Sequence, residues 1–291
     1  MNNINIFCFG FGQVAKNFIN KIILENSKIN LSITSTDKTC KKDINGLLYE
    51  SFFFNNESYD EDLIEKLKEA DYILVSIPPI NGTDLVIKKF SKYIENCKAK
   101  WITYLSATSV YGNHDGQWVN EESLTRPTSP NGIARLVAEK SWLSLAANKD
   151  LPIQIFRLSG VYSNKNNLLT RLKTGNVNLI NKQNHFFSRI HVEDISNILF
   201  KSLSSFKSGE IYNISDDKPC TSEEVTLYGV QLLNVNKPKM IEIKDIESEM
   251  LKNFYKDSKK ISNKKMKSFF NYSLKFPTYV EGLNYIRNNH I

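Results

Sequence analysis

Arginine is scarce in this chain. Its 291 residues hold 32 Lys but only 6 Arg, against 31 Asp plus Glu. The formal charge of +7 therefore rests on the residue that pairs less well with phosphate planes and base edges. With 33 Asn beside the lysines, the excess reads as compositional bias, not as a nucleic-acid footprint. Cysteine is equally thin. Cys8, Cys40, Cys97 and Cys220 lie far apart without a C-x-x-C pair, which excludes a zinc ligand set and a secreted disulfide framework. No His, Cys or carboxylate cluster has ligand spacing, so no metal is expected. No run approaches the roughly 18 apolar residues of a membrane span. The opening MNNINIFCFGFGQVA lacks a basic n-region and places glycines where a signal peptide needs an apolar run, so a cytoplasmic protein is expected. What is present, 41% hydrophobic and 24% charged residues, excludes wholesale disorder. The length suits one core, or a core domain with a smaller appendage.

Apolar runs at 4–9, 29–34, 71–77, 101–105 and 151–158 read as strands, and amphipathic spacing at 13–25, 60–70, 84–97 and 131–147 as helices. Alternation in units of about 30 residues implies a doubly wound α/β domain with a parallel sheet. Beyond Gly160 the alternation weakens. A helix over 194–203, a strand over 210–214 and a helix over 221–233 capped by Thr221, with Glu224 three residues on, are expected there. The second part reads as a small C-terminal α/β lobe for substrate. The expected division is 1–160, with 186–205 returning to it, and 161–291.

Gly10-Phe11-Gly12-Gln13-Val14-Ala15 fits G-x-G-x-x-A between a strand and a helix. The pattern supplies a tight turn, bare backbone for a pyrophosphate and a small residue for close helix packing, with free N–H groups facing the phosphates. Ile77 and Pro78, ending the third strand, fall on the same cofactor side. The second strand ends Thr36-Asp37-Lys38. A carboxylate there suits the ribose hydroxyls of NAD, while hydroxyl and cationic groups suit the 2′-phosphate of NADP. We read the balance as NADP through Thr36 and Lys38, with NAD the alternative.

Three further segments follow in order: Tyr104-Leu105-Ser106-Ala107-Thr108-Ser109-Val110-Tyr111-Gly112, Arg157-Leu158-Ser159-Gly160-Val161-Tyr162, and Ser188-Arg189-Ile190-His191-Val192-Glu193-Asp194. Together with the glycine turn they resemble the extended short-chain dehydrogenase/reductase superfamily, in its atypical NAD(P)-dependent epimerase/dehydratase-like branch. An Asn- and Lys-rich stretch like 258–267 and an ending like Phe276 to Leu283 belong to the same likeness. It implies a Rossmann-type fold, a small-molecule substrate, and a homodimer through the helices at 84–97 and 131–147. It also implies a catalytic Ser/Thr, Tyr and Lys.

All three of those positions are altered. The Ser/Thr place is Ala107, the Tyr place Asn131 and the Lys place Arg135. An amide has no proton to exchange near neutral pH, and a guanidinium can hold the cofactor ribose without sharing its own. Replacement chemistry is sought in Ser106, Thr108, Tyr111, His191 and Arg189, with a structural role the alternative for the last two. Segment 237–275 carries 11 Lys against 5 acids. A solvated face is expected there, or a lure for an anionic substrate. Two functions remain open: an atypical NAD(P)-dependent oxidoreductase or epimerase/dehydratase-like enzyme acting on a sugar-derived or anionic molecule, and a non-catalytic NADP sensor.

Overall fold

The computed structural model describes residues 3–25 and 28–290. The main sheet consists of β1 (Ile4–Phe9), β2 (Ile29–Ser35), β3 (Cys40–Ile44), β4 (Leu47–Phe53), β5 (Tyr72–Val75), β6 (Trp101–Ala107), β7 (Ile153–Leu158) and β8 (Ile211–Ile214). They lie side by side in the order β8-β7-β6-β5-β1-β2-β4-β3. The helices, in chain order, are α1 (Gln13–Leu24), α2 (Leu63–Lys68), α3 (Leu85–Ile94), α4 (Pro130–Lys149), α5 (Leu168–Lys173), α6 (Val192–Ser202), α7 (Ser222–Leu233), α8 (Glu249–Lys256), α9 (Lys264–Phe270) and α10 (Tyr279–His290).

β1 pairs in parallel with β2 and β5, β2 with β4, and β5 with β6. Strands covered on both faces must be apolar nearly throughout, and β1 obeys this: Ile6 to Phe9 are buried without a break. The doubly wound parallel architecture expected from the alternation is present. A hairpin that the strand reading did not contain lies at the sheet edge. β3 runs antiparallel to β4, with Ile44 opposite Leu47. The two residues between them, Asn45 (φ 50°) and Gly46 (φ 83°), both occupy the left-handed region that a tight Asn-Gly hairpin turn requires.

The chain forms two compact units. The first comprises Met1–Ala107, Ile133–Arg157 and Ile195–Tyr212; the second comprises Thr108–Gly132, Leu158–Asp194 and Asn213–Ile291. Segment 108–132 thus lies outside the unit that holds most of 1–160. Its local bonds explain why: Trp118–Val119 pairs with Lys260–Ile261, and the N–H groups of His114 and Gly116 both donate to the Ser258 carbonyl. The core of the first unit gathers around Phe9, Phe90, Tyr104 and Trp142. That of the second gathers Leu169, Val225, Leu283 and Ile286 from α5, α7 and α10 around Tyr162.

Thr221 caps α7 by accepting from the Glu224 N–H at 3.1 Å. The Glu224 carboxylate does not return to close a capping box; it takes Lys218 at 2.8 Å and the Tyr279 hydroxyl at 3.0 Å. Among the described residues no helix is long and apolar enough to cross a membrane, and no group of three His, Cys, Asp or Glu side chains is placed to hold a metal ion.

Candidate functional site

β1 delivers the chain to Gly10, whose φ of +82° belongs to glycine. A Cβ there would stand 2.7 Å from Ile77 Cγ2 and 3.0 Å from Ser76 Oγ. The turn is pinned from both sides: Gly10 N–H donates to Thr34 Oγ1 at 2.9 Å, and Ser76 Oγ donates to the Phe9 and Gly10 carbonyls at 3.1 Å. Gly12 then opens α1 as its N-cap with no side-chain cap, and a Cβ there would meet nothing within 4 Å. No acid lies in the first turn of α1, so the positive end of its dipole is uncompensated.

A cavity of 560 Å³ lies beside this turn. Gly10, Phe11, Thr36 and Ile77 line it, while Gly12, Gln13, Val14, Lys38, Pro78 and Arg135 do not. Gln13 and Val14 occupy the first turn of α1, Val14 facing the core. The cationic wall is made instead by Lys16 and Lys42. The β3–β4 hairpin returns Lys42 to within 3.0 Å of Asp37. Lys42 was invisible without the hairpin, although Asn45-Gly46 between two runs was a readable turn signal.

Ala107 ends β6. Asn131 is exposed in the first turn of α4, and Arg135 follows one turn later. The Arg135 guanidinium donates from Nη1 to the Leu105 carbonyl at 3.0 Å. Ser106 is buried, and so is Tyr111, whose hydroxyl donates to Asn213 Oδ1 at 2.8 Å. Thr108, at the start of the short turn Thr108–Tyr111, is partly exposed. One turn beyond Arg135, Glu139 meets Arg157 in a pair that sequence reasoning did not foresee. Arg157 Nη2 donates to Oε2 at 2.7 Å and Nε to Oε1 at 3.1 Å, with both side chains buried.

In the second unit His191 is fully enclosed, 4.2 Å from the Phe276 ring and 5.0 Å from the Tyr162 ring between centroids. Its Nδ1 accepts from the Glu193 N–H at 3.3 Å. Burial pushes its pKa down to about 4, so the ring is neutral near pH 7. Arg189 stands differently. Its guanidinium carbon lies 3.5 Å from the centroid of the Phe187 ring, and Nη1 donates to Cys220 Sγ at 2.9 Å. Arg189 and Arg171 line a cavity of 220 Å³ together with Asn166, Tyr162 and Tyr279. Among the described residues neither arginine forms an ion pair with a carboxylate.

The Lys-rich stretch is not a solvated face throughout. Ser258, Lys259 and Asn263 are buried. Lys259 lies 3.7 Å from Asp257, and burial lowers its pKa. Lys260 lies over the Phe186 ring at 4.2 Å, and Lys267 pairs with Asp217 at 2.9 Å. The segment threads the second unit because its backbone is bonded to residues 113–119 and 184–188.

Residues 85–215 match the NAD dependent epimerase/dehydratase family. Solved structures align with the chain along nearly its whole length. A functionally unknown conserved protein from Silicibacter pomeroyi is 27% identical, with a TM-score of 0.85 over 98% of both chains. The dTDP-glucose 4,6-dehydratase of Bacillus anthracis, in complex with NAD, is 20% identical, with a TM-score of 0.76 over 98% of this chain and 97% of that one. The UDP-glucuronic acid 4-epimerase of Bacillus cereus, also in complex with NAD, is 16% identical, with a TM-score of 0.77 over 98% and 99%. At those identities the last two establish a shared fold. No curated protein matches the chain in sequence.

Proposed function

We propose that this chain is a short-chain dehydrogenase/reductase that binds a nicotinamide dinucleotide beside Gly10–Gly12 and acts as an oxidoreductase or epimerase/dehydratase-like enzyme on an anionic, sugar-derived or similar small molecule. The glycine turn carries the reading. Gly10 is pressed against Ser76 and Ile77, and the space at Gly12 is empty where any side chain would obstruct a pyrophosphate. Gly10, Phe11, Gly12, Gln13 and Val14 bring backbone to the phosphates at the positive end of α1. Ile77 and Pro78 flank the nicotinamide side, and Arg135 holds the adjoining ribose. Thr36 with Lys16 and Lys42 favours NADP, because Asp37 is already engaged by Lys42. NAD is the alternative, with Asp37 turned to the ribose hydroxyls.

When bound, the dinucleotide supplies hydride transfer. Asn131 moves no proton, and Arg135 contributes fixed positive charge, so a group other than residue 131 handles the proton. Thr108 is the partly exposed hydroxyl near the altered positions. The anionic end of the substrate is received in the cavity between Arg171 and Arg189, neither of which forms an ion pair with a carboxylate among the described residues. A homodimer through α3 and α4 belongs to the same reading, with Ile133 and Val137 exposed one turn apart on α4.

A second reading, a non-catalytic NADP sensor, is favoured by one observation: Ala107, Asn131 and Arg135 leave no exchangeable proton at any of the three positions. Titration with NADPH and NADH by nucleotide fluorescence, followed by turnover assays with keto and nucleotide-sugar compounds, separates the two. Turnover by the wild type supports the enzyme. Tight binding without turnover, unchanged in Asn131→Tyr/Arg135→Lys, supports the sensor. Absence of dinucleotide binding overturns both.

A further inference from the structure

An arginine that lines a cavity needs two things to receive an anion: a fixed orientation, and a charge that the protein has not itself cancelled. The usual means of orienting a buried guanidinium is a carboxylate, and a bidentate carboxylate would occupy the same donors that a ligand requires. Arg189 is held otherwise. One face of the guanidinium lies against the Phe187 ring at 3.5 Å, which fixes its plane through a cation–π contact. Within that plane a hydrogen bond of 2.9 Å from Nη1 goes to the sulfur of Cys220.

We propose that Cys220 is a positioning residue for Arg189, aiming the guanidinium into the 220 Å³ cavity while leaving its charge available to an anion. The proposal rests on the anion cavity described under the proposed function. Cys220 sits on the short strand Cys220–Thr221, opposite Phe187, so the backbone pairing that places the ring also places the thiol. The thiol is fully buried, and burial raises its pKa to about 11. It therefore remains a neutral, weak acceptor. The nearby Asp216 carboxyl is buried as well, and burial pushes it well above the ordinary carboxylate range. Among the described residues it forms no ion pair with Arg189, and its influence on the guanidinium is through space. Arg189 is thus held by an aromatic face and a thiol, neither of which carries negative charge.

The test uses the full chain, with inorganic phosphate as probe and calorimetric titration as readout. The variants are Cys220→Val, Cys220→Ser, Arg189→Gln and the double variant Cys220→Val/Arg189→Gln. Cys220→Val keeps the bulk but removes the acceptor, and is expected to weaken the Arg189-dependent phosphate binding about tenfold, the weight of one charged hydrogen bond. Cys220→Ser restores a neutral acceptor and keeps binding within about threefold of wild type. In the Arg189→Gln background Cys220→Val has no further effect, because both substitutions remove one interaction. Cys220→Ala removes the acceptor too and stands in should the valine variant not fold. Wild-type affinity in Cys220→Val or Cys220→Ala, or losses that add in the double variant, overturns the assignment of Cys220. Phosphate binding unchanged by Arg189→Gln overturns the anion cavity itself, a separate failure.

Discussion

Asp37 and Lys42 form an ion pair of 3.0 Å beside the cavity at the glycine turn, joining the loop after β2 to β3. The bond raises the Lys42 pKa, so the lysine is fully charged at neutral pH. The two side chains oppose each other in cofactor choice: one suits a ribose diol, the other a 2′-phosphate. Lys42→Ala is expected to weaken NADPH about tenfold while NADH changes less than about twofold, and Asp37→Asn to weaken NADH more than NADPH. Fluorescence titration of each variant with both nucleotides measures the ratio. An unchanged ratio would mean that Lys42 does not contact the cofactor.

Glu139 and Arg157 form a fully buried ion pair of 2.7 Å. Removing one partner leaves an uncompensated charge in the core. Glu139→Ala is expected to cost about 3–5 kcal/mol in urea unfolding, and Glu139→Leu/Arg157→Met to recover most of it. Single and double variants of equal stability would rule this out.

Gly282 of α10 faces Tyr162. A Cβ at 282 would stand 2.0 Å from the tyrosine hydroxyl, and Tyr162 is buried in the core of the second unit. Overpacking there predicts a loss of about 1–3 kcal/mol for Gly282→Ala. Tyr162→Phe/Gly282→Ala, with the hydroxyl gone, should regain part of it. Thermal melts of the wild type and the two variants measure the difference.

Stability should fall on mild acidification. His185 and His191 are both enclosed, and burial pushes both pKa values from 6.5 down to about 4. Between those values the unfolded chain binds protons that the folded chain refuses. The stabilisation is complete above pH 6.5 and is lost as pH drops toward 4, on the order of 3 kcal/mol per histidine. Melting temperatures recorded from pH 7.5 to 4.5 should show this slope, and His191→Phe should flatten it. A wild type equally stable at pH 7 and pH 5 would falsify the assignment.

The sequence alone was enough to specify the parallel sheet and the glycine turn. Strands buried on both faces must be apolar runs, and a backbone at positive φ pressed against its neighbours must be glycine, so both appear as local composition at 4–9, 72–75 and 10–12. The tertiary structure decided the partners. β3 is a charged edge strand, CKKDI, whose solvent exposure leaves no apolar pattern to read, so Lys42 rather than Lys38 reached the cavity wall only once the Asn45-Gly46 turn closed. Lys259 looked like solvated surface because charge in a sequence reports composition, whereas burial depends on what the backbone around 257–263 binds. Cys220 and Arg189 are 31 positions apart, and nothing local joins them. Strand pairing between Phe187 and Cys220 brings them together, and that pairing exists only in three dimensions.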